Sequence, residues 1–287
     1  MVRELVGELP RWRFPGLAAY AGLDHGITTR HGGVSAVPYA SLNLGLHVGD
    51  AAEDVIANRR RVCAALGVPF ERYTLARQVH GSEIAWVGEE QIGAGRAALD
   101  DSLPDADGLV VARPGVLISV LSADCVPLLL YDPVQHVGAA VHAGWRGTAA
   151  GIAGVAVRYL AEHCGCQPRD LRVGIGPAIG PCCYQVSANV ARQLSTAFPY
   201  PQPVASVRDG AWYLDLPLAN RQQLLTAGVP EANCEQADTC TACHADEFFS
   251  ERRLGRPTGR ISAFVLLRGA GAGPGAGQVD GTVHGLP

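Results

Sequence analysis

Three side chains in this sequence are of the kinds that bind a metal ion or activate a nucleophile, and each falls where regular structure gives way to a loop. Cys125 ends the segment Ser122-Ala123-Asp124-Cys125, His142 opens His142-Ala143-Gly144-Trp145-Arg146-Gly147, and His80 stands with Gly81 between two strand-like runs. One thiolate and two imidazoles have the mixed softness that zinc accepts. Three protein ligands leave a fourth position open, the mark of a catalytic zinc, whose bound water is acidified to a pKa of about 7. The same residues allow two other readings. Cys125 could be a thiolate nucleophile with His142 as its general base. Alternatively, a buried cysteine and two hydrogen-bonded histidines could do no chemistry at all. Asp107 and Asp124 are candidates to accept the second ring N–H of a metal-bound histidine, or simply to close strand ends. Arg146 adds an anion site, because GWRG stands where a helix begins and combines a guanidinium with unpaired backbone N–H groups. Arg30 and Arg260 are further candidates for that role.

The elements that must position these residues can be read from the apolar pattern. Val116 to Leu121, Val126 to Tyr131 and Val137 to Val141 are short, β-branched and continuous, the pattern of buried strands. Taken as a three-stranded meander turning at SADC and at Asp132-Pro133, they bring Cys125 and His142 to one edge. Tyr73 to Val79 and Glu83 to Val87 read as a hairpin that turns at His80-Gly81. Further strands are expected at Leu23 to Arg30, in DADGLVV, and at Leu171 to Ile175, Asn233 to Ala237 and Ile261 to Leu267. Helices are expected after a capping pattern at Asp50 and Glu53 as far as Gly67, and over Thr148 to His163, Ser187 to Phe198 and Leu216 to Ala227. Arg59-Arg60-Arg61 is expected to lie on a solvated helix surface. Asn43 and Gly45 suggest a tight backbone path in the loop PYASLNLGLHVGD.

With 287 residues, 48% hydrophobic and 17% charged, the chain can bury a full core. The expected division is one domain over 1–268 and a flexible Gly-rich tail over 269–287. A net charge of −4 offers nothing to nucleic acid or to an anionic membrane. No run approaches a membrane span or a signal peptide, so a cytoplasmic protein is expected. Nine cysteines in that setting read as thiols. Cys63 is expected in the core. Cys164, Cys166, Cys182 and Cys183 could form a four-thiolate zinc site, although CxC and CC depart from the usual ligand spacing. Cys240-Thr-Ala-Cys243-His244 matches a c-type haem attachment pattern, and reads instead as a structural turn.

QVHG at 78–81, SADCVPLLLYDP at 122–133, HAGWRGTAAGI at 142–152, GPAIGPCCYQV at 176–186, and FFSERR followed by TGR at 248–260 together resemble the YfiH-type laccase-domain family. The resemblance implies an α+β fold, a four-layer α/β/β/α sandwich with mixed, largely antiparallel sheets, and a monomer. It implies a metal site at His80, Cys125 and His142, with zinc, or copper in its place. It also implies a purine nucleoside phosphorylase, acting on nucleoside and phosphate, with adenosine deaminase activity. Arg146 is then the expected phosphate residue, and Cys125, His142, His80 and Arg146 form the expected catalytic set. An amide hydrolase editing peptidoglycan precursors is the alternative. The family's polyphenol-oxidase name is less well supported: nine histidines in all, no His-x-His pair and a single methionine, Met1, do not suit a multicopper centre.

Overall fold

The computed structural model describes residues 1–269, so all but Gly269 of the expected tail lies outside the described residues. Two six-stranded sheets form its centre. The first runs, edge to edge, Val2–Val6, Leu9–Arg13, Leu23–Thr28, Ile261–Leu267, Leu117–Ser122 and Tyr73–Thr74. The second runs Cys234–Gln236, Arg172–Ile175, Val126–Asp132, Val137–Ala143, Gly108–Val111 and Ile84–Trp86. Most neighbours are antiparallel, with one parallel pair in the first sheet and two in the second.

The continuous apolar strands are explained by having no wet face. In Val126–Asp132, Leu129 and Tyr131 point toward the other sheet, while Leu128 and Leu130 pack under the helices Ile152–Cys164 and Leu216–Thr226. In Leu117–Ser122, Ile118 and Val120 meet the opposite sheet, whereas Leu117 and Leu121 face Val62 and Cys63 of the helix Ala52–Ala65. The central strands of both sheets are thus buried on both faces, and the layers run α/β/β/α. Gly138 allows their close approach, since a Cβ there would lie 2.4 Å from Val265 Cγ1.

Two expected connections are different in the structure. Leu117–Ser122 and Val126–Asp132 are not paired in a meander, because the first belongs to one sheet and the second to the other. Tyr73–Thr74 and Ile84–Trp86 are likewise split between the sheets, so His80 sits on a crossing and not in a hairpin turn. The short Ser122–Val126 link reads identically in sequence whether it reverses within a sheet or steps across to the facing one, and the strand expected over Tyr73 to Val79 ends at Thr74, leaving a long connection to Ile84.

Side chains also depart from expectation on the Ala52–Ala65 helix. Asp50 does not cap it; its carboxylate accepts from Ala51 N–H and from Asn43 Nδ2. Arg60 and Arg61 are exposed, but Arg59 is only 2% exposed and donates to the carbonyls of Leu44, Gly95 and Arg96. Three unpaired loop carbonyls give its charge the hydrogen bonds that burial demands. The helix expected from Thr148 is broken by Gly151, at φ +80°, into Trp145–Ala149 and Ile152–Cys164.

Candidate metal centre where the chain crosses between sheets

Cys125 lies on the crossing from Ser122 to Val126, just before a strand whose partner, Val137–Ala143, carries His142 one residue from its end. The antiparallel register sets Val126 opposite Ala143 and Pro127 opposite His142, so the two side chains meet through strand pairing in the second sheet. The crossing is fixed by Asp124 at φ +91°, and by the Ser122 hydroxyl donating to the Cys125 carbonyl at 2.5 Å. His80 arrives from the other crossing, also in the left-handed region at φ +61°.

Asp107 joins the two histidines. Its carboxylate accepts from the successive backbone N–H groups of Val79, His80 and Gly81 at 3.1, 3.0 and 2.7 Å, and it pairs with His142 Nδ1 at 2.8 Å. That bond fixes the imidazole and leaves Nε2 to face Cys125 and His80. Burial would push the Asp107 carboxyl up, but His142 and the backbone donors outweigh it and hold the group below its ordinary 3.8. Asp124 does not touch either histidine. It accepts from the Thr241 hydroxyl at 2.6 Å and from Arg252 N–H at 2.8 Å.

The ligand atoms of His80, Cys125 and His142 all lie within 4.8 Å of one another, with the two rings edge-on at 4.8 Å between centroids. Burial alone would raise the Cys125 thiol, yet His142 and His80 bring it down to about 6. Burial would lower His142, but the Cys125 thiolate and Asp107 lift it to about 9. The glycine of HAGWRG is required for space: a Cβ on Gly144 would stand 2.7 Å from His80 Cδ2 and 3.2 Å from Cys125 Sγ. One thiolate and two nitrogens converging this closely, one ring oriented by a carboxylate, fit the donor set of a zinc site with an open position.

The trio borders a cavity of about 520 Å³, within the range of roughly 300–1,000 Å³ usual for small-molecule sites. His47, Gln78, Glu251, Arg256 and Arg260 also line it. Arg260, a secondary candidate in the sequence, pairs there with Glu251, which also binds Arg256 at 2.7 Å. Burial, with Arg260 and Arg59 nearby, brings His47 down to about 4, so its ring is neutral at pH 7. His47 carried no signal beyond the tight path suggested at Asn43 and Gly45, and Glu251 none beyond its place in FFSERR. That path exists because Asn43 Oδ1 accepts from the N–H groups of both Gly45 and Arg260. Arg146 is not on this cavity; it is exposed in the short Trp145–Ala149 helix, with its guanidinium 4.5 Å from the Trp145 ring centroid. Arg30 is occupied by the carbonyls of Ala40 and Ala245.

Fold and site together define a four-layer α+β protein with a thiolate–imidazole centre bordering a cavity beside the crossings between its sheets. The chain belongs to the family described as multi-copper polyphenol oxidoreductase laccases, which it matches over residues 24–268. It is 44% identical over 259 residues to purine nucleoside phosphorylase YlmD of Geobacillus stearothermophilus, covering 90% of this chain and 94% of that one. It is 34% identical to a purine nucleoside phosphorylase of Bacteroides thetaiotaomicron, over 88% of this chain and 95% of that protein. The crystal structure of the Geobacillus YlmD superposes with a TM-score of 0.86 at 42% identity, over 91% of this chain and 96% of that one. No helix among the described residues is long and apolar enough to cross a membrane.

Proposed function

We propose that this protein is a purine nucleoside phosphorylase that also deaminates adenosine, acting as a cytoplasmic monomer with zinc, or copper in its place, at His80, Cys125 and His142. The observation that carries the reading is the convergence of these three donors on a cavity that also holds Arg256 and Arg260. The names of the relatives supply the substrate class. A metal ion in this donor set supplies Lewis acidity and a coordination position open to water or substrate.

Phosphorolysis forms a bond from phosphate to the ribose C1′, breaks the bond to the purine and leaves a proton needed on the departing base. Arg260 and Arg256 are the arginines on the cavity, so they hold the phosphate oxygens; Glu251 keeps Arg260 in place until the anion arrives. Neutral His47 is a hydrogen-bonding group for purine or ribose that does not repel an incoming cationic transition state. Deamination instead adds water at purine C6 and expels ammonia, and C6 and C1′ are several ångströms apart. A metal ion held by His80, Cys125 and His142 would therefore bear directly on deamination and mainly on positioning in phosphorolysis. Metal-free and zinc-restored protein, each incubated with adenosine and phosphate, should differ most in inosine and hypoxanthine, with adenine less affected. Equal loss of all products in the metal-free protein contradicts this division of labour.

A second reading is favoured by one observation: Asp107, His142 and Cys125 form a continuous carboxylate–imidazole–thiol chain, the arrangement of a cysteine hydrolase. An amide hydrolase of that kind survives a chelator and is killed by iodoacetamide in metal-free buffer. The proposed metal enzyme loses deamination with chelator alone.

A further inference from the structure

The structure gathers a second set of soft ligands, well apart in sequence from the first. Cys182 and Cys183 follow Gly180-Pro181 on one loop, and Cys240 and Cys243 bracket Thr241-Ala242 on another. All four Sγ atoms lie within 4.8 Å of one another, with Cys243 Sγ 3.7 Å from that of Cys182 and 3.5 Å from that of Cys183. Four thiolates bound tetrahedrally to zinc at about 2.3 Å would stand about 3.8 Å apart, so the sulfurs already occupy nearly the required shell. The surroundings also suit an anionic cluster. Gly180 N–H donates to Cys240 Sγ at 3.2 Å, and Arg252 and Arg253 line the same depression. A Cβ at Gly180 would meet Cys182 Sγ and the Cys240 Cβ, each at 3.3 Å, so a side chain there would crowd the site.

We infer that Cys182, Cys183, Cys240 and Cys243 form a closed, structural zinc site, separate from the His80–Cys125–His142 centre. Binding releases the thiol protons to solvent and forms four Zn–S bonds; the net charge of the site becomes −2, which the two arginines offset. No oxidation is involved. Cys164 and Cys166 take no part, so the pairing of CxC with CC considered from sequence is replaced by CC with C-x₂-C, the second of which has ordinary zinc-ligand spacing.

The location gives the site a task. Thr241, between the two later cysteines, donates its hydroxyl to Asp124 at 2.6 Å, and Ile179 N–H donates to the Asp124 carbonyl at 2.8 Å. Arg252 donates from its backbone to the same carboxylate, and from its guanidinium to the Cys183 and Gln185 carbonyls. A zinc ion joining the two loops therefore braces Asp124, the residue before Cys125, from behind. The four cysteines act by positioning and touch no substrate.

The test is metal analysis of the full chain purified under reducing conditions. Wild type should carry one zinc more than the Cys182→Ser/Cys243→Ser protein, while Cys125→Ala should retain the thiolate-site zinc. The two sites fail separately: if the first centre is unmetallated, wild type holds one zinc and the double variant none. Cobalt substitution in Cys125→Ala gives a second readout that needs no change at the cluster. Intense sulfur-to-cobalt charge-transfer absorption with tetrahedral visible bands is expected. Equal zinc in wild type and double variant, absence of that absorption in folded Cys125→Ala, or a disulfide among these cysteines in the purified protein would each overturn the assignment.

Discussion

At the scale of single residues, one carboxylate, that of Asp107, holds both the backbone around His80 and the ring of His142. Asp107→Asn keeps a similar shape but weakens the acceptor for His142 Nδ1–H, so metal affinity should fall by roughly 10–100-fold with the fold intact. Competition with a chromogenic chelator measures it; affinity equal to wild type would remove Asp107 from the centre. The arginines separate just as sharply. Arg260 lines the cavity with 14% of its side chain exposed, whereas Arg146 stacks on Trp145 outside it. Arg260→Ala should raise the phosphate KM in inosine cleavage at least tenfold, a loss of about 1.4 kcal/mol or more, and Arg146→Ala should leave it within twofold. The reverse ranking would move the anion to the GWRG helix.

At the scale of elements, strands carry the site and buried polar groups lock them. His25, on Leu23–Thr28, is wholly buried and accepts Phe14 N–H at Nε2 at 3.0 Å. Burial, with Arg13 adding to it and Asp24 opposing, brings its pKa from 6.5 down to about 3. The unfolded chain therefore binds a proton below 6.5 that the folded chain refuses, and stability is full above 6.5 and lost as pH falls toward about 3. Each pH unit in that window costs about 1.4 kcal/mol from this group alone. Urea unfolding of wild type and His25→Gln at pH 7 and pH 5 should show a shallower acid loss in the variant; parallel losses would mean that His25 is protonated in the folded state. Arg59 belongs to the same class, a charged side chain that ties the Ala52–Ala65 helix to two loops through carbonyls.

At the scale of the whole molecule, the inter-sheet layer joins everything. Ile118 and Val120 of one sheet and Leu129 and Ala140 of the other share one apolar cluster, and both crossings that deliver His80 and Cys125 span it. Ile118, fully buried there, should cost about 2–5 kcal/mol when cut to alanine. Because both sheets lean on that layer, circular dichroism and tryptophan fluorescence should report one shared transition, lowered together. Two separated transitions in Ile118→Ala would show that the sheets unfold independently.

Much of this was legible in the residues. Continuous β-branched runs with no polar alternation announced strands buried on both faces, and the Val126, Val137, Arg172 and Ile261 strands begin within a residue of where their apolar runs do. Cys125, His142 and His80 stood out by type and by their place at strand ends, and Ser187 caps its helix as read, accepting Val190 N–H. Local sequence could not say in which sheet each strand lies, since a tight reversal and a crossing between facing sheets use the same short polar loops. It could not separate Arg59 from Arg60 and Arg61, because helical position sets which one points inward, and only the loops packed beyond decide whether carbonyls await it. Nor could it pair Cys182-Cys183 with Cys240 and Cys243, or bring His47 and Arg260 to the cavity. Those groupings join residues far apart in the chain, and proximity across such distances is determined by how layers stack, a property of the assembled core that no single segment contains.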